Sequence, residues 1–156
     1  MKEEEVVSKL KETFGDKVSE FKIAPRRVYF YTPPEHYREV VRFLVEKLGF
    51  VHIQTITSTD LGKEIEIMPH LGRGLTVSIR TRIAKDKPAV DSIVDIIPGA
   101  SFHEREVHDM LGVEFKGNPN LNRILLPEDW PKGVYPLRRE AQPTPPKSIR
   151  GDGDEC

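Results

Sequence analysis

Residues 103–109, His103-Glu104-Arg105-Glu106-Val107-His108-Asp109, hold the densest set of chemically capable side chains in the sequence. Two imidazoles, three carboxylates and a guanidinium suggest either a divalent metal site or a carboxylate pair working as general acid and base. The spacing argues against the metal. His103 and His108 lie five positions apart, roughly 140° around a helix, so their rings do not converge on one ion. A zincin helix needs its histidines at i and i+4. Glu104 and His108 are i, i+4 neighbours and are expected to form a solvent-side ion pair. Glu104, Glu106 and Asp109 are candidate acids and bases, yet no nucleophile, oxyanion donor or glycine cradle accompanies them in sequence. Leu71-Gly72-Arg73-Gly74 lacks the Lys-Ser/Thr of a phosphate loop and the third glycine of a dinucleotide fingerprint, and reads as a hairpin turn. Activity in the isolated chain is not expected. The rival from the enzyme class is a stand-alone metal or acid–base hydrolase using His103, Glu104, Glu106 and His108.

The other reading is a surface made for a partner. Charges crowded against Val107, Met110 and Leu111, which must be buried, are either bridged internally or matched to another protein. Arg105, Arg123, Arg138 and Arg139 supply planar forks suited to carboxylates at interfaces, whereas isolated surface pairs would be worth little. Phe115, Trp130, Tyr135 and Leu137 are anchor types, and they stand in a stretch rich in proline.

The segments that position these residues read as an α+β fold. Val6, Val7, Leu10 and Phe14 recur at helical spacing, with Gly15 as the stop. Residues 18–31 form two strand-like pieces broken by Pro25. The second, Val28-Tyr29-Phe30-Tyr31, suits burial on both faces. Thr32 is a predicted N-cap, with Pro33 and Pro34 in the first turn. Val40, Val41, Leu44, Val45 and Leu48 are the stripe of a second helix, which Gly49 ends. Strands are predicted over 50–57, 64–68 and 75–83, the last with Leu75, Val77 and Ile79 inward and Thr76, Ser78 and Arg80 in solvent. An apolar piece, 90–97, leads to Pro98-Gly99-Ala100. Ser101 with Glu104 then reads as a capping box that starts the charged helix, 102–111, which Gly112 ends.

The expected architecture is a mixed or antiparallel sheet with helices on one face, spanning 1–115. An extended proline-rich tail over 116–156 needs something to lie on, since seven of the 13 prolines fall there. Its end, 143–156, is expected to be disordered or ordered only by partners.

Bulk numbers narrow the classes further. A chain of 156 residues makes one domain. Its 24 basic and 25 acidic side chains nearly cancel, so no net field draws nucleic acid or an anionic membrane. One cysteine, Cys156, excludes a disulfide framework and a cysteine-held zinc or iron–sulfur site within the sequence. No run of 18 apolar residues could span a membrane, and the acidic start does not suit a signal peptide. The Lys- and Glu-rich composition, 31% charged, suits a thermophilic source.

Residues 98–138 resemble a known signature. The helix Glu104-Arg105-Glu106-Val107-His108-Asp109-Met110-Leu111-Gly112-Val113 is followed by Phe115-Lys116-Gly117-Asn118-Pro119, Leu121-Asn122-Arg123-Ile124, Asp129-Trp130 and Pro136-Leu137-Arg138. This order is similar to that of the 30 kDa subunit family of respiratory complex I. The family extends to the membrane-bound [NiFe] hydrogenases and ferredoxin-linked reductases of archaea. The resemblance implies a structural subunit without a cofactor of its own, peripheral on the cytoplasmic side of the membrane. It would dock on a large subunit of the [NiFe]-hydrogenase or 49 kDa type, beside iron–sulfur subunits. It implies that Glu104, Arg105, Glu106 and Asp109 lie at or near the contact. Phe115, Pro119, Arg123, Asp129, Trp130, Pro136, Leu137 and Arg138 would follow along the wrapping tail. Some of these charges could instead pair within the chain itself. Asn118 in place of histidine, Leu111 in place of phenylalanine, and the padding by Lys132 and Val134 favour the archaeal hydrogenase type. Quinone-linked complex I is the alternative.

Overall fold

The computed structural model describes residues 1–141; the tail end 143–156, Cys156 included, lies outside the described residues. Helix α1, Glu3–Phe14, buries Val6, Val7, Leu10 and Phe14, as the spacing predicts, and Gly15 caps it at φ 52°. Strands β1 (Ser19–Ala24) and β2 (Arg27–Tyr31) form a hairpin around Pro25. In β2 only Val28 and Phe30 are fully covered, while Tyr29 and Tyr31 are half-buried on the other face, so burial is one-sided.

Helix α2, Pro34–Glu46, begins one residue later than its predicted cap. Pro33 occupies the N-cap, and the buried Thr32 hydroxyl donates to the Lys17 carbonyl at 2.9 Å instead of capping the helix. Tyr37, Val40, Val41 and Leu44 face the sheet, and Gly49 turns the chain at φ 73°. Strands β3 (His52–Asp60), β4 (Glu64–Arg73) and β5 (Leu75–Ala84) form an antiparallel meander. β4 runs through Leu71, Gly72 and Arg73 of the supposed four-residue turn, leaving only Gly74 between it and β5.

The five-stranded sheet has the order β1-β2-β5-β4-β3, with β2 parallel to β5 and every other pair antiparallel. The α+β class with a mixed sheet therefore holds. The central position of β5 explains why Thr76 and Ser78, expected in solvent, are buried. Tyr29 and His70 flank Ser78 across the sheet, and the Ser78 hydroxyl and His70 Nδ1 lie 2.7 Å apart.

The opposite face of the sheet forms the core. Val28, Phe30, Ile65, Ile67, Leu71, Val77 and Ile79 pack there with Val6, Leu10, Val40, Leu44, Val107 and Leu111 from three helices. The apolar piece at 90–97 is a short strand, β6 (Ala89–Asp91), followed by turns. β6 pairs in parallel with β7 (Glu114–Lys116), and the two straddle helix α3, Ala100–Leu111.

Candidate docking surface

Helix α3 begins two residues before its predicted start and has no side-chain cap, its N-cap being Gly99. The supposed capping partner, Glu104, points inward and is fully buried. Its Oε1 accepts the Ile93 backbone N–H at 2.9 Å. Its Oε2 accepts the Ser92 hydroxyl at 2.7 Å and the Asn118 amide at 2.8 Å. Burial raises its pKa above the ordinary carboxylate value, and these three donors oppose the rise. The Ser92 loop is itself held by α2, because Arg38 donates to the Ser92 carbonyl at 2.7 Å and to Asp95 at 2.6 Å. Arg38 holds the Asp95 carboxyl down at about 2. The expected ion pair with His108 is absent: His108 Nδ1 lies 2.8 Å from the Val113 carbonyl oxygen, satisfying the helix end.

Asp109, 3% exposed, performs a similar task one turn on. Its Oδ2 accepts three successive backbone N–H groups, those of Ile124, Leu125 and Leu126, at 2.9, 2.9 and 3.3 Å. Arg105 donates to the carbonyls of Asn122 and Arg123 at 3.0 and 3.1 Å, and stacks over Phe102. Arg123 donates to the carbonyls of Pro127 and Glu128, and Arg138 to that of Leu111 at 2.8 Å. These signature charges mostly serve backbone groups of the same chain. Each ion–dipole bond of this kind is worth more than a neutral one, about 1.5–3 kcal/mol.

The segment after β7 therefore lies on α3 without regular structure. Phe115 is in the core, Trp130 is 9% exposed with its indole N–H on the Val134 carbonyl at 2.9 Å, and Pro136 is half-buried. The Leu137 N–H reaches the Met110 carbonyl at the end of the helix. Gly112, which ends α3 at φ 73°, meets the Tyr135 ring so closely that a Cβ would lie 2.5 Å from it.

A far anchor holds Arg139 to the β3–β4 turn. Its backbone N–H donates to Asp60 Oδ2 and its Nε to the Asp60 carbonyl, both at 2.9 Å. Lys85 meets the same carboxylate at 2.6 Å. Burial pushes the Asp60 carboxyl up, but the Arg139 N–H, Lys85 and the Gly62 N–H outweigh it and hold it well below its usual range. Nothing in sequence pairs Asp60 with a residue 79 positions away. Ser92, which completes the Glu104 cage, carries no motif either.

Three large apolar side chains stay outward among exposed polar residues such as Asn120, Asn122, Glu128 and Lys132. Phe102 is 62% exposed, Leu125 53% and Leu137 57%. Pro119 and Asp129 are exposed, and Glu106 is half-exposed, 3.8 Å from His103. Phe102 lies on α3, and the backbone N–H groups of Leu125 and Leu137 bond to Asp109 and to the Met110 carbonyl of the same helix. The set His103, Glu104, Glu106 and His108 does not converge on one point: Glu104 is enclosed by Ser92, Ile93 and Asn118, His108 turns to the Val113 carbonyl, and the half-buried His103 lies by Glu106. Among the described residues no three His, Cys, Asp or Glu side chains are placed to share a metal ion.

The same stretch carries a family profile. Residues 30–147 match that of the respiratory-chain NADH dehydrogenase 30 Kd subunit. The chain belongs to this family. The membrane-bound hydrogenase subunit beta of Pyrococcus furiosus is 30% identical over 97% of this chain and 93% of its own length. A subunit of the NADH-quinone oxidoreductase of Roseiflexus sp. is 39% identical over 70% of this chain and 67% of its own. A chain in the structure of the membrane-bound sulfane sulfur reductase, an archaeal respiratory membrane complex, superposes with a TM-score of 0.78 at 33% identity. That match covers 89% of this chain and 85% of the other. Relatives within the 30 Kd family are thus subunits of membrane-bound oxidoreductase complexes. No described helix here is long and apolar enough to cross a membrane.

Proposed function

We propose that this chain is a non-catalytic structural subunit of the peripheral arm of a membrane-bound oxidoreductase, with α3 and residues 117–141 as its docking surface. The observation that carries the reading is how the signature charges are used. Glu104, Arg105, Asp109, Arg123 and Arg138 bond to their own backbone and so fix an irregular segment that leaves Phe102, Leu125 and Leu137 exposed. A chain that stiffens an extended segment before binding lowers the ordering cost of association. The partner is a large subunit of the [NiFe]-hydrogenase or 49 kDa type, with iron–sulfur subunits beside it on the cytoplasmic face. Metal clusters belong to those partners and none to this chain. The near end-to-end match to the Pyrococcus hydrogenase protein supports a ferredoxin-linked hydrogenase-type complex. The shorter but more identical match to the Roseiflexus protein supports the quinone-linked alternative.

Leu125→Asp and Phe102→Asp test the surface. Both side chains are exposed, so the purified chain should keep its melting temperature. Each variant should reduce co-purification with the large subunit about tenfold or more, a hot-spot loss at an interface. Unchanged co-purification in both variants would place the contact elsewhere.

A further inference from the structure

Three arginines crowd one end of the sheet, and the acid nearest them, Glu3, is bonded to the Arg26 backbone N–H. Arg26 and Arg27 leave the β1–β2 turn and Arg73 closes β4; with His52, Gln54 and Thr76 they line an open groove of about 500 Å³. Elsewhere in the chain Arg80 and Arg82 meet Glu20, Arg82 also meets Glu66, and Arg38 meets Asp95, whereas Arg105, Arg123 and Arg138 are held by backbone carbonyls. Among the described residues none of Arg26, Arg27 and Arg73 has a carboxylate within 4.0 Å of its guanidinium. Neutral acceptors aim them instead. Arg26 donates to the Gly74 carbonyl at 3.1 Å, Arg27 to the Tyr29 hydroxyl at 3.0 Å, and Arg73 to the Leu48 carbonyl.

Two backbone features keep the groove in shape. Arg26 holds φ 60°, a left-handed conformation unfavourable for a residue with a Cβ, and the Glu3 carboxylate accepts its N–H at 2.6 Å. Gly72 forms part of the lining, where a Cβ would come within 2.9 Å of the Gln54 amide.

We propose that this groove is a second docking site, which takes an acidic segment of a neighbouring protein chain with its carboxylates on Arg26, Arg27 and Arg73. The guanidinium fork matches a carboxylate in two parallel hydrogen bonds. The chain as a whole carries a net charge of −1, so the attraction is local to this groove. β3 and β4 place it at the end of the sheet opposite Asp60 and Arg139. The proposal goes beyond the subunit reading and does not require it.

The test uses the purified full chain and a fluorescein-labelled octaglutamate peptide, followed by fluorescence anisotropy at low salt. Wild type should bind saturably, and Arg27→Glu should weaken binding about tenfold or more. Arg42→Glu on α2 makes the same change in net charge and should leave binding unaltered. Arg27→Gln serves as the second variant if thermal melting shows the charge reversal to be unfolded. Absence of saturable binding overturns the proposal, as does equal weakening by Arg27→Glu and Arg42→Glu. Tighter binding to phosphatidylglycerol vesicles than to the peptide would overturn it too, assigning the groove to phosphate. None of these results bears on co-purification with the large subunit, so the two readings fail separately.

Discussion

Glu104 is a buried carboxylate that serves three donors, and its replacement separates the loss of an acceptor from the loss of a charge. Glu104→Ala leaves the Ile93 N–H, the Ser92 hydroxyl and the Asn118 amide without their acceptor, at a cost of about 3 kcal/mol or more by urea unfolding. Glu104→Gln should be milder, because it retains an oxygen for Ile93 and the Ser92 hydroxyl can rotate, although the Asn118 amide, fixed by the Asn120 N–H on its oxygen, loses its acceptor. The pH dependence has a definite sign. Burial raises the folded pKa above the ordinary 4.5, so the stabilising contribution is complete below that value and is lost as pH rises through the folded pKa. Relative to Glu104→Gln, the wild type should therefore lose stability as pH climbs from 4.5 through the higher folded value; a gain over that window would contradict the assignment. Asp60 behaves oppositely, since its lowered pKa stabilises above the usual carboxylate range and fails only as pH falls through the folded value.

At the scale of elements, Gly112 is required twice over. Its positive φ disfavours any side chain, and a Cβ would strike the Tyr135 ring at 2.5 Å. Gly112→Ala should cost about 2 kcal/mol or more. Adding Tyr135→Ala should recover the steric part but not the backbone part; no recovery in that double variant would mean that the ring is not pressed on the helix end. Gly112 illustrates what the sequence makes legible: a periodic stripe followed by glycine ends a helix, and α1, α2 and α3 all obey. The meander is readable from β-branched runs. Three departures share one cause, namely that distant partners override local rules. Thr32 gives up its cap for Lys17, Glu104 gives up its capping box for Ser92 and Ile93, and Ser78 is covered by strands remote in sequence. The candidate site is legible as residue types, while the direction of each charge is not, because it depends on carbonyls and N–H groups that every residue carries.

The whole molecule separates into a core and a strap laid over it. Val77 is central and fully buried, so Val77→Asp should unfold the chain by placing an unpaired charge in the core, at a cost of about 3–5 kcal/mol. Trp130 lies outside that core and bonds only within the strap, to Val134. Trp130→Ala empties a buried site in the strap, so it should lower the melt, though less than Val77→Asp, while weakening assembly by about 2 kcal/mol or more. Equal loss of folding in both variants would make the strap part of the core and remove the basis for docking. The measurement that tests the central claim most directly is affinity purification of the tagged chain from native membranes in mild detergent, with mass spectrometry of what accompanies it. A structural role predicts recovery of a [NiFe]-type or 49 kDa-type large subunit together with iron–sulfur subunits. Recovery of the chain alone, as a monomer, would contradict it.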